Sequence, residues 1–157
     1  MVAGATPAGS TISRSLVQMH ASEIGTIAEA HVLLSLVERG LPVFTQYGGK
    51  APVDLVVWKT GKCYSVSVKS VLKLGRHGVY EAQLKSVRNR KIRMFSPCAC
   101  DILAVYLHDI SKVCFFASTE VKCAASLTLR VSSSNFSSNR LVDDFTSIER
   151  VFSILAS

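Results

Sequence analysis

Residues 53–70 set the strongest constraint on the fold. "VDLVVW" and "KCYSVSVKS" read as two β-segments joined by Thr60-Gly61, a dipeptide suited to a two-residue hairpin turn. The second segment alternates strictly. Tyr64, Val66 and Val68 share one face, and Cys63, Ser65, Ser67 and Lys69 the other. An apolar hairpin face must be covered, so the rest of the chain has to supply further layers. Two charges break the apolar pattern. Asp54 stands in an otherwise greasy run, and Lys69 interrupts "VSVKS" fifteen residues later. A carboxylate in such a run is costly to bury unless something neutralises it. Two readings stand: an Asp54–Lys69 salt bridge across the hairpin, or a metal-binding carboxylate with a lysine beside it facing a phosphate. A buried ion pair seldom improves on hydrophobic residues of the same shape.

The flanking segments fit a layered α/β (α+β) domain. From Ser22 to Arg39 the residues Ile24, Ile27, Ala28, His31, Leu34 and Val37 recur at helical steps, with Ser22 as the expected cap and Gly40 at the end. Gly25 lowers helix stability in the first turn, which suggests a close packing approach there. "LPVFTQY", "GVYEAQL", "DILAVYL", "KVCFFAS" and "SLTLRV" read as strands. Cys63 and Cys114 fall inside strands and are expected to be small buried hydrophobes. Leu141, Val142, Phe145, Ile148, Val151, Phe152 and Leu155 predict a closing helix. Residues 1–20 read as a flexible leader, and 21–157 as one domain.

Charge narrows the function. The chain has 18 Lys plus Arg and 11 Asp plus Glu, a net charge of +7. Ten of the basic residues lie between Lys59 and Arg93, with Glu81 the one acid among them. That stretch is +9 and the remainder is 7 − 9 = −2. Excess charge gathered this way suits a polyanion such as nucleic acid, although a solvated face would look the same. No apolar run approaches a membrane span, and no secretory signal pattern is present, so the expected setting is intracellular, in the cytoplasm at DNA, with no membrane partner. The five cysteines include no CxxC pair; Cys98 and Cys100 are too close for a zinc finger, and His108 alone completes no tetrahedral site. The four histidines form no triad pattern with a nucleophile. Gly48-Gly49-Lys50 is a turn that can approach a DNA backbone, and its spacing is not that of a Walker motif.

"IGTIAEAHVLLSLVERGLPVF", "APVDLVV", "YSVSVK" and "DILAVYL…KVCFFASTEV", in that order, resemble the PD-(D/E)xK nuclease superfamily. The pattern is similar to the small intron-encoded homing endonucleases and, more distantly, to archaeal Holliday-junction resolvases. The resemblance implies a central mixed β-sheet flanked by helices. It also implies a metal-dependent endonuclease acting on double-stranded DNA, with Mg²⁺ as cofactor and Mn²⁺ as a possible substitute. Glu29 matches the helix-borne glutamate, Asp54 the motif aspartate and Lys69 the motif lysine. Taken alone, Glu29 would be a solvent-facing helix charge. Asp54 and the Val68 carbonyl would hold the metal, Glu29 would act from its outer shell, and Lys69 would position or help deprotonate the attacking water. Products would carry 5′-phosphate ends.

One position departs from the pattern. Two residues before the lysine the family carries Glu, Asp or Gln, and this chain carries Ser67. A hydroxyl is a weak metal ligand beside a carboxylate. Ser67 would hold a metal-bound water, or Glu81 would serve as a migrated carboxylate, or the chain would bind DNA without cutting it well. By itself Glu81 reads as a surface charge. Lys50, Lys73, Arg76, His77, Lys85, Arg88, Arg90, Lys91 and Arg93 are the expected DNA contacts. A homodimer or larger homo-oligomer is expected, its interface drawn from the final helix and strands such as "VCFFA". The alternatives are a junction-specific nuclease and a catalytically impaired DNA-binding protein.

Overall fold

A computed structural model describes residues 19–46, 53–88, 90–121, 124–132 and 140–157. Helix α1 (Ala21–Glu38) is followed by β1 (Val43–Thr45), β2 (Leu55–Lys59), β3 (Lys62–Val71), β4 (Val79–Gln83), β5 (Ser86–Arg88) and β6 (Lys91–Arg93). Then come β7 (Ile102–Leu107), β8 (Lys112–Ala117), the short α2 (Ser118–Val121), β9 (Ser126–Arg130), a 3₁₀ turn at Val142–Phe145 and α3 (Ile148–Leu155). The central sheet runs β1-β2-β3-β7-β8 and is mixed: β3 and β7 are parallel and the other neighbours antiparallel. β4 and β9 make a separate antiparallel ribbon, and β5 and β6 a small hairpin.

Two cores hold the layers together. On one face of the sheet Ala28, Val32 and Leu36 of α1 and Ile148, Val151 and Phe152 of α3 cover Val57, Val66, Val68 and Phe115. On the other face Tyr80, Ala82, Leu127 and Leu129 of the ribbon cover Leu103, Val105, Cys114 and Phe116. β7 and β8 lie between the two, which explains their unbroken apolar sequence. This is the mixed sheet flanked by helices that the sequence predicts. The hairpin turn forms as expected: Thr60 and Gly61 both take positive φ, 47° and 82°.

Several local expectations fail for physical reasons. α1 begins one residue before Ser22, with His20 as cap, and the Glu23 carboxylate accepts the His20 N–H at 2.7 Å. Among the described residues a side chain at Gly25 would meet nothing within 4 Å, so none of them makes a close approach that requires the glycine. Cys63 is exposed, beside the hairpin turn at the start of β3; Cys114 is buried as expected. The closing apolar run is broken by Ser147, whose extended backbone (ψ 117°) separates the 3₁₀ turn from α3. The side chains of "VCFFA" are not surface: Val113, Cys114, Phe115, Phe116 and Ala117 are all buried within the monomer core. Trp58 stands 42% exposed at the end of β2. Among the described residues no helix is long and apolar enough to cross a membrane.

Candidate functional site

β3 is ten residues long, but it pairs with β2 only through Val66. From Val66 to Val71 its opposite edge pairs with β7. Among the described residues, the β2-side edge of 67–71 therefore has no strand partner. Asp54, the residue just before β2, fills the first gap on that edge. Its own N–H donates to the Val66 carbonyl at 3.0 Å. Its Oδ2 accepts the Val68 N–H at 2.6 Å and the Ser67 hydroxyl at 3.3 Å. Both bonds fall on one oxygen. The N–H and C=O of one strand residue leave on the same edge, so the Val68 carbonyl is directed to the edge that Asp54 occupies.

Ser67 and Lys69 share the face of β3 opposite the buried Val66 and Val68. Two residues of strand separate them by about 6.6 Å. Among the described residues the ion pairs are Lys59–Glu149, Lys112–Asp143 and Arg150–Glu120. Asp54 and Lys69 do not pair, so the structural salt bridge left open by the sequence is not formed. The charge of Lys69 instead acts on Cys100, as does that of Asp54. Burial raises the Cys100 thiol to about 11, with a Ser67 main-chain hydrogen bond working against the rise.

Glu29 lies on α1 beside Ala28, which is buried against the sheet. Its carboxyl is raised above the usual carboxylate range, first by burial and then by the negative charge of Asp54. The negative charge of Asp54 is thus felt at Glu29, on a different element. Glu81 does not join them. It stands exposed on the outward side of β4, accepts a hydrogen bond from Gln83 Nε2 at 3.1 Å, and lines a neighbouring cleft. That cleft, about 320 Å³, begins at Val71, two residues beyond Lys69 on the same strand face, and includes Lys73, Arg76, His77 and Arg130. Lys85, Arg90, Lys91 and Arg93 are exposed on and around the β5–β6 hairpin. Arg88 lies in β5, opposite Lys91. Lys50 falls outside the described residues. Lys59, counted in the basic stretch, is committed elsewhere: it pairs with Glu149 and sits 4.4 Å above the Phe152 ring.

Asp101 is the polar residue that sequence reasoning passed over. Its Oδ2 accepts the Ser65 N–H (2.7 Å) and hydroxyl (2.6 Å), pinning the start of β7 to β3. Its place at the head of an apolar run, like that of Asp54, was the available signal.

The donors around Asp54 suit a hard divalent cation. Asp54, Glu29 and the Val68 carbonyl all offer oxygen, and Mg²⁺ is commonly held by one or two carboxylates with water and substrate phosphate completing its shell. Among the described residues no three His, Cys, Asp or Glu side chains gather as a ready-made metal cage.

The solved structure of a bacterial homing endonuclease, I-Ssp6803I, is similar over 88% of this chain and 95% of that one, with a TM-score of 0.72 and 19% identity. No curated protein matches the chain. The family model described as PD-(D/E)XK endonuclease matches residues 19–149, which span α1, the half-open β3, the ribbon and the start of α3. With well over half of its length accounted for by that match, the chain belongs to the PD-(D/E)XK endonuclease family.

Proposed function

We propose that this protein is a metal-dependent endonuclease that hydrolyses phosphodiester bonds in double-stranded DNA, in the manner of a homing endonuclease. The observation that carries the reading is the placement of Asp54. A carboxylate is held at the open edge of β3 by a main-chain N–H, beside the Val68 carbonyl, within the field of Glu29 and one strand-step from Lys69. Asp54 and the Val68 carbonyl would hold Mg²⁺, with Glu29 acting on its water shell. The cation supplies charge to offset the negative charge that builds on the phosphate oxygens as the bond breaks.

The chain's own groups do the remaining work. The Val68 N–H and Ser67 hydroxyl fix the Asp54 carboxylate through Oδ2 and leave Oδ1 directed elsewhere. Lys69 Nζ orients the attacking water and meets the scissile phosphate. Ser67 supplies no carboxylate, so the site has one ligand fewer than the family pattern. Lys73, Arg76 and His77 continue the positive surface from Lys69 into the adjoining cleft and would seat the phosphate backbone. A two-fold dimer would present one such site to each strand.

Supercoiled plasmid with Mg²⁺ tests the reading. Wild type should nick and linearise it, and Asp54→Ala and Lys69→Ala should stop cutting while leaving salt-sensitive DNA binding. Binding without cutting by the wild-type chain would instead favour a DNA-binding protein that lost cleavage, a reading that the missing carboxylate at Ser67 supports. Cutting confined to a synthetic four-way junction would mark a junction-specific enzyme.

A further inference from the structure

We propose that the β4–β9 ribbon is the element that reads base sequence, and that it does so from the major groove; this rests on the DNA reading above. The ribbon has two faces. Tyr80 and Ala82 of β4 and Leu127 and Leu129 of β9 are buried against the central sheet. The alternate positions face away from it as three cross-strand pairs: Val79 with Arg130, Glu81 with Thr128, and Gln83 with Ser126. Each strand is five residues, about 13 Å of extended chain, and a two-stranded ribbon of this kind fits the major groove, about 12 Å wide.

The chemistry of that outward face differs from its surroundings. Lys73, Arg76 and His77 precede the ribbon in a shared cleft, and Lys85, Arg90, Lys91 and Arg93 follow β4. Those groups suit phosphate. The ribbon itself carries a glutamine, a threonine and a glutamate, each exposed. Glutamine can bond both N6 and N7 of adenine, glutamate can accept from the cytosine amino group, and threonine can meet either a polar edge or a thymine methyl. Glu81 decides the orientation. A carboxylate in the middle of a basic surface repels phosphate, so the ribbon is stable against DNA only where base edges, not the backbone, face it. The basic flanks clamp the two phosphate walls, and the neutral and acidic centre interrogates the groove between them.

Selection from a randomised duplex pool, without added Mg²⁺ and with the full chain, tests this. Wild type should enrich a motif. Gln83→Ala and Thr128→Val should each lose preference at one or two positions and bind the selected duplex roughly 5- to 150-fold more weakly, with unchanged salt dependence. Glu81→Gln should tighten binding to unrelated duplex and so narrow the specificity ratio. Lys73→Ala should weaken all duplexes alike and lower the salt slope by about one. If the ribbon variants select the wild-type motif, or if wild type binds DNA but enriches nothing, the inference is wrong while the DNA reading stands. A change in sedimentation on substituting Gln83 or Glu81 would also overturn it, by marking the face as a subunit contact. Failure of the wild-type chain to bind any duplex at low salt would remove the DNA reading itself.

Discussion

Replacing Ser67 with Glu restores the carboxylate that the family pattern expects, and its consequences can be worked from the geometry. The Ser67 hydroxyl lies 3.3 Å from Asp54 Oδ2 on a partly buried edge. A glutamate there sets two carboxylates about 5 Å apart. Their repulsion is about 0.8 kcal/mol at the dielectric of water and about 3 kcal/mol at the effective value of 20 that suits protein sites. In EDTA, Ser67→Glu should therefore destabilise the fold by about 1–3 kcal/mol, and for a chain of this size each kcal/mol lowers Tm by about 2–4 °C. Mg²⁺ reverses the sign, because two carboxylates now share one cation. A ligand at a hundred times its Kd adds about 2.7 kcal/mol, so the deficit should be erased at saturating Mg²⁺. Ser67→Gln controls for bulk: it carries no charge and should show little loss in EDTA. Calorimetric melts of the three proteins with EDTA and with Mg²⁺ decide the matter. An equal Mg²⁺ shift in wild type and Ser67→Glu would refute the placement of Ser67 in a cation site.

Glu29→Gln should raise Tm at neutral pH, by at most the roughly 0.2–1 kcal/mol expected for a solvent-screened charge interaction. Because the folded-state pKa of Glu29 lies above 4.5, its cost to stability grows as pH rises through that shifted value, so the gain should vanish in melts run below pH 4.5. His108 shows the opposite linkage: burial, then the charge of His31, lower its pKa below 6.5, so folded His108 resists protonation and stability should fall as pH drops below 6.5. His108→Phe should flatten that part of a Tm-against-pH curve, and an unchanged slope would refute the assignment. Alkylation mapped by mass spectrometry should label exposed Cys63 and Cys98 in the folded chain, and buried Cys100 and Cys114, raised to about 11 and about 12, only after denaturation.

What the sequence made legible was local. Strict alternation in 62–70 put Ser67 and Lys69 on one face of a strand, and the structure keeps them there. The two-residue turn fixed how "VDLVVW" returns on "KCYSVSVKS". What was not legible depends on pairings distant in the chain. β3 outruns β2 after Val66 because β7, some 35 residues on, pairs with its other edge through Val71 and carries the strand past the end of the hairpin. The ribbon joins β4 to β9 across more than 40 residues, and no periodicity announces which strands will meet. Glu81 reads from the sequence as a migrated carboxylate that could replace the one missing at 67, whereas its β4 neighbours Tyr80 and Ala82 take the inward positions and turn it out. The cysteine at 63 shows the same limit: alternation assigns its face, but not whether that end of the strand is covered in the folded chain.

The loss of the family carboxylate at Ser67 has a consequence for how metal and DNA should bind. The Val68 main-chain N–H at 2.6 Å holds the Asp54 carboxylate whatever side chain stands at 67, and the Ser67 hydroxyl at 3.3 Å adds a longer second bond. What the serine removes is one charged ligand. With Asp54 and the Val68 carbonyl as the proposed donors and Glu29 acting on the water shell, the remaining positions would be filled by water or by the phosphate oxygens of DNA. Mg²⁺ affinity of the free chain should accordingly be low and should rise when duplex DNA is bound. Linkage requires that Mg²⁺ tighten DNA binding by the same factor, for which couplings of about 5- to 150-fold are typical. Lys69→Ala permits both titrations without cutting. Calorimetric Mg²⁺ affinity that is the same with and without duplex would show that the protein alone completes the shell, and would move the missing ligand to a residue other than those named here.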